Sequence, residues 1–114
     1  MSDAMPAVTQ LILQGRLDAT TVGYLESVLS PALDVVTANA KTALLLNLQG
    51  LTYVSSSGLR VLLSARATAR RRTIRLILCA LSPHVREVFD LVGFSTLFEI
   101  YESCDDALIA LAQP

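Results

Sequence analysis

The run Ser55-Ser56-Ser57-Gly58 places three hydroxyls in a row where an apolar segment gives way to a helical pattern. A helix N-terminus leaves its first N–H groups unpaired and carries a partial positive charge. A hydroxyl there can cap the helix, sit beside a bound anion, or accept a phosphoryl group whose charge the helix end favours. A hydrolytic nucleophile is a poorer reading, since Gly-x-Ser-x-Gly is absent and His84 is the one imidazole in the chain. Ser-Ser-Ser-Gly-Leu-Arg also lacks the second glycine and the lysine of a phosphate-binding loop. With no Cys-x-x-Cys pair beside that single histidine, the residues assign no catalytic group, no metal and no cofactor.

The hydropathy pattern supplies elements that would hold this junction. Val8 to Gln14 reads as a strand ending at Gly15. Asp18-Ala19-Thr20-Thr21 offers N-caps for a helix to about Asn39, with Val22, Leu25, Val28, Leu29, Leu33 and Val36 on one stripe and Pro31 kinking or dividing it. Thr42 to Leu48 reads as a strand buried on both faces, followed by a long turn, Gln49 to Ser55, and a helix from Ser57 to about Ala69. Thr73 to Leu78 is a further strand. Ser82-Pro83 opens a helix to about Leu91 that stops near Gly93, as N-cap serine, N1 proline and C′ glycine require. Leu97 to Tyr101 is a last strand, and Ser103-x-x-Asp106 a capping-box-like start for a helix to about Ala112. Alternating strands and helices predict an α/β fold, and open sheets of that kind place their sites at the carboxyl ends of strands.

Composition bounds the function. The 114 residues, 53% hydrophobic, suit one domain over 1–114 with 1–6 flexible. Nine Lys+Arg against ten Asp+Glu give a net charge of −1, with no global pull toward nucleic acid or acidic membranes. Arg70-Arg71-Arg72 falls at a helix C-terminus, where cations are favourable, and Lys41 is the one lysine. His84 reads as an exposed first-turn residue, and Phe89, Phe94 and Phe98 as packing residues. Cys79 and Cys104, without a visible signal peptide, fit two free thiols in a reduced cytoplasmic protein better than a disulfide scaffold. The apolar stretches are strand-sized, so membrane insertion is not expected.

Three blocks, in order, resemble the STAS family of anti-sigma factor antagonists. Gly15-Arg16-Leu17-Asp18 is similar to the family's Gly-x-Leu-Asp at the entry to the first helix. Leu46-Asn47-Leu48 through Tyr53-Val54-Ser55-Ser56-Ser57-Gly58-Leu59 is similar to its central strand and Asp-Ser-Ser-Gly-Leu motif. Cys79-Ala80-Leu81-Ser82-Pro83 through Val85, Phe89-Asp90 and Gly93 is similar to its third strand and following helix. The resemblance covers roughly residues 15 to 101.

It implies a single STAS-like domain, a mixed sheet of four to five strands with about four helices packed mainly on one face. It also implies a non-enzymatic antagonist in bacterial partner switching. The implied partner is a GHKL-type serine kinase that is itself the anti-sigma factor, with a PP2C-type phosphatase as a further implied partner. The implied phosphoacceptor is Ser56, with Ser55 and Ser57 as the alternatives. Asp18, Ser55, Ser56, Ser57, Gly58 and Arg60 form the implied partner-binding set, Gly58 letting the partner approach closely. Ser55 departs from the family, which has aspartate there, and the missing carboxylate bears on phosphorylation more than on partner binding. An N-terminal stretch shorter than in better-known antagonists would leave a sheet edge open to self-association. A scaffold subunit without a phosphorylation cycle and a small-ligand or nucleotide sensor are the competing classes.

Overall fold

The computed structural model describes residues 8–38 and 43–112. The chain runs β1 (Val8–Leu17), α1 (Val22–Ala38), β2 (Ala43–Val54), α2 (Ser56–Arg71), β3 (Arg75–Cys79), α3 (Pro83–Val92), a 3₁₀ turn (Phe94–Thr96), β4 (Glu99–Tyr101) and α4 (Cys104–Ala112). The four strands form one sheet in the order β1-β2-β3-β4. All three pairings are parallel, so among the described residues the sheet is parallel and not mixed. The expected flexible stretch 1–6, the start of the second strand at Thr42 and the end of the first helix at Asn39 lie outside the described residues.

This order decides where the helices go. Parallel crossovers are right-handed as a rule, and three in the same direction along the sheet set α1, α2 and α3 on one face. The core there joins Leu25, Leu29, Leu33 and Val36 of α1, Leu62, Ala65 and Ala69 of α2, and Val85 and Phe89 of α3 to Leu44, Leu46, Leu48, Leu76 and Leu78 of the sheet. Successive strand residues point to opposite faces, so Leu45, Ile77 and Cys79 lie on the other face, where Ala107 of α4 covers them. Ala43 to Leu46 are all fully buried, as expected of a parallel strand covered on both sides.

Several boundaries differ from the sequence reading. β1 continues past Gly15, which takes φ +79 and accompanies register shifts against β2, and so carries Leu17 into the core. β2 likewise runs on to Val54, and the expected long turn from Gln49 to Ser55 is strand up to the last residue. Gly50 is needed there because a Cβ would lie 2.9 Å from Gln14 Cγ. Pro31 neither ends nor divides α1; it is exposed, where water can satisfy the carbonyl its missing N–H leaves free.

The expectation of two free thiols is corrected. Cys79 and Cys104 form a disulfide, because the end of β3 and the start of α4 bring their Cα atoms to 5.1 Å. The three phenylalanines pack as a cluster, with ring centroids 5.4–6.0 Å apart. The arginine run does close α2, Arg70 and Arg71 in its last turn.

Past Arg72 the chain takes a left-handed residue, Thr73 at φ 57, so that the Ile74 N–H can return 2.8 Å to the Ala69 carbonyl. A β-branched side chain is strained in that conformation. Thr73→Gly is therefore expected to raise stability by about 1 kcal/mol, read as a higher urea midpoint at unchanged slope.

Candidate functional site

Ser55 is the N-cap of α2. Its backbone is extended, and its hydroxyl accepts a long hydrogen bond, 3.4 Å, from the Gly58 N–H. Its own N–H donates to the Leu17 carbonyl at 2.8 Å, fastening the start of α2 to the end of β1. Helix and strand meet closely enough that a Cβ on Gly58 would lie 2.6 Å from Leu17 Cγ and 3.1 Å from the Leu17 carbonyl oxygen. Gly58 is buried in that contact, so its missing side chain serves the approach of α2 to β1 inside the molecule, not the approach of a partner.

The hydroxyls on either side of this brace differ in access. Ser56 is exposed; Ser57 is partly buried and lines a groove with Val22 and Glu26 of α1 and Arg60, Val61 and Ser64 of α2. Arg60, exposed one turn after Ser56, forms no ion pair among the described residues. A phosphate on Ser56 would meet the positive end of α2 and have this guanidinium within an (i, i+4) turn.

Asp18 follows directly on Leu17, so the 2.8 Å bond places it beside the serines. It is a turn residue. One carboxylate oxygen accepts from the Thr20 N–H at 3.0 Å and the Thr20 hydroxyl at 2.6 Å, and the other faces Arg16 Nε at 3.4 Å. The Thr20 hydroxyl first, then the Thr20 N–H, hold the Asp18 carboxyl below the usual carboxylate range, with a smaller contribution from Arg16. A depressed folded-state pKa means that these bonds support the turn at neutral pH and are lost as pH falls through that lowered value. Thr20→Val is expected to move the Asp18 titration midpoint upward toward the ordinary aspartate value, measured by NMR of the side-chain carboxyl.

The sequence reading missed a stack along the same sheet edge. The Arg16 guanidinium lies 4.1 Å from the Tyr53 ring centroid, and Tyr53 stacks on His84 at 6.2 Å and 14°. His84 sits in the first turn of α3, whose N-cap Ser82 accepts from the Val85 N–H and donates to the Leu51 carbonyl at 3.1 Å. Contacts between residues of β1, β2 and α3 leave no signal in local spacing. Together Asp18, Arg16, Tyr53 and His84 make a continuous polar and aromatic rim from the end of β1 to the start of α3.

This rim is a surface and not a cleft. Ligand crevices in open α/β sheets form where the strand order reverses and helices part to opposite faces; the order β1-β2-β3-β4 contains no such point. Among the described residues no three potential ligand side chains cluster to hold a metal, and no helix is long and apolar enough to cross a membrane.

A parallel sheet with α1, α2 and α3 on one face, and a braced serine opening the second helix, defines a small α/β module. The chain belongs to the STAS domain family, whose model matches residues 3–107 and so takes in all four strands and the site. It is 37% identical over 98 residues to BtrV of Bordetella bronchiseptica, a protein named as an anti-sigma factor antagonist, covering 86% of this chain and 81% of that one. It is 29% identical to the anti-sigma-B factor antagonist of Listeria monocytogenes, over 79% of this chain and 75% of that one. The crystal structure of an anti-sigma factor antagonist from Mycobacterium paratuberculosis superposes with a TM-score of 0.77 at 27% identity, covering 94% of this chain and 87% of the other.

Proposed function

We propose that this chain is a non-enzymatic anti-sigma factor antagonist. It binds a GHKL-type serine kinase that is itself the anti-sigma factor, and phosphorylation of Ser56 switches that binding off. The relatives' names support the antagonist role. The observation that carries the site is the 2.8 Å bond from the Ser55 N–H to the Leu17 carbonyl, which sets an exposed Ser56 beside Asp18 on one rigid edge. In this reading Asp18, Ser55, Ser56, Ser57 and Arg60 contact the partner, and Gly58 supports them from beneath.

The switch needs no refolding. A phosphoserine adds about −1.5 to −2 charges at neutral pH, which the N-terminus of α2 tolerates within the domain. Against a packed partner the same group must be desolvated, a cost that one guanidinium, Arg60, does not offset for a dianion, and binding is lost. Calorimetric titration against the anti-sigma factor tests this: a saturable complex is expected for the unmodified chain, and none after incubation with the kinase and ATP. A complex indifferent to ATP would favour the scaffold reading, to which Ser55 in place of the family's aspartate lends support.

A further inference from the structure

We propose that the Cys79–Cys104 disulfide is a redox-labile latch on α4, with Cys104 the sulfur at which small thiols and disulfides exchange. α4 has nine residues, below the roughly 12–15 at which an isolated helix holds in water. Its hold on the sheet is slight. Among the described residues the second face buries Ala43, Leu45, Ile77, Cys79 and Ala107, with Leu108 and Leu111 partly buried against them, whereas the face under α1, α2 and α3 buries twenty residues. Among the described residues no ion pair joins α4 to the sheet, and the Ser103 hydroxyl and carbonyl bonds are to α4's own N–H groups. The covalent tie to Cys79 is therefore the strongest single constraint on the helix, and it closes a segment of 25 residues that contains α3 and β4.

The two sulfurs differ in access. Cys79 is fully buried, while Cys104 is only partly buried and lines an open groove with Gln49, Ser82, Pro83, Glu102 and Asp105. An attacking thiolate reaches Cys104. The new S–S bond forms there, the old one breaks, and its electron pair leaves on Cys79 Sγ, which takes up a proton. A second thiolate attacks the mixed disulfide, releasing a small disulfide and the Cys104 thiolate, which is protonated in turn. Two small thiols are oxidised and the protein disulfide is reduced to two thiols; a low-molecular-weight disulfide drives the reverse. The Glu102 and Asp105 residues lining the groove repel anionic attackers, so the singly charged thiolate of 2-mercaptoethanol reacts faster than the doubly charged thiolate of glutathione at equal thiolate concentration.

Opening the latch frees α4 to leave Leu45 and Ile77 without disturbing the core beneath α1, α2 and α3. Redox state and serine phosphorylation thereby act on different parts of one domain. The latch does not depend on the proposed partner, and its test needs none.

Hydrogen exchange by mass spectrometry on the full chain, oxidised and then reduced by dithiothreitol under native conditions, reads it directly. Reduction is expected to speed exchange over residues 104–112 by about tenfold or more, while residues 43–54 and 56–71 change by less than about twofold. Cys79→Ala with Cys104→Ala should match the reduced form with or without reductant, and Cys104→Ala alone provides the same state should the double variant fold poorly. Brief treatment with a monothiol should place the mixed disulfide on Cys104. Unchanged exchange in α4, an equal rise across the whole chain, resistance to millimolar dithiothreitol, or a mixed disulfide on Cys79 would each overturn the latch.

Discussion

Ser56→Asp is expected to weaken binding to the proposed anti-sigma factor partner by about 100-fold or more, and Ser56→Ala to leave it within about a few-fold of wild type. The first figure follows from burying an unmatched carboxylate at a packed interface, a cost of about 3–5 kcal/mol. The second follows because an exposed hydroxyl that makes no side-chain hydrogen bond among the described residues loses little when removed. The contrast between the two substitutions separates charge from shape. Amide NMR shifts in Ser56→Asp should change near Asp18, Ser55–Arg60 and Tyr53, leaving the buried leucines of β2 and β3 in place. Isothermal titration of each variant with the partner reads the affinities; equal binding by Ser56→Asp and wild type would sink the mechanism.

Gly58→Val destabilises the fold by about 3 kcal/mol. Its Cβ would have to occupy space held by Leu17 Cγ and Cδ2, at 2.6 and 2.9 Å, and Leu17 is itself buried. The backbone has little room to yield, since the Ser55 N–H bond to Leu17 fixes the same two segments. Relief by moving α2 outward would break that bond and separate Asp18 from Ser56, so partner binding should fall together with stability. Leu17→Ala creates a cavity in the wild type but removes the clash in the Gly58→Val background. The double variant should therefore be more stable than the two single effects sum to, measured as coupling in a urea-denaturation cycle. Strict additivity would show that the Leu17 contact is not what requires glycine.

Legibility in the sequence followed the range of the interaction. A serine cap before α2, Ser82-Pro83 as a helix start and Gly93 as a helix stop are decided within four residues; α2 opens at Ser56, one residue before the Ser57 of the pattern, with Ser55 as the cap, and Gly93 takes the left-handed conformation at φ 82. The pattern ends the first strand at Gly15 and gives Gln49 to Ser55 to a turn, where the structure continues both strands. The bulge in β1 and the approach of Gln14 to Gly50 involve a neighbouring strand that no local window contains. The disulfide failed for a similar reason, since Cys79 and Cys104 are 25 residues apart and meet only after β4 and α4 have docked. At the candidate site, the family motifs pick out Ser56 and Asp18 one by one. Their joining through the Leu17 carbonyl, the burial of Gly58 and the stack of Arg16, Tyr53 and His84 needed the fold.

The central claim is that Ser56 is the group through which a partner kinase controls this surface. Incubation of the chain with the proposed GHKL-type partner kinase and ATP, followed by mass-spectrometric site mapping, tests it most directly. The account predicts a single phosphoryl group on Ser56, with none in Ser56→Ala. Phosphorylation confined to residues outside Ser55, Ser56 and Ser57, or no modification by a kinase that binds the chain, would contradict it.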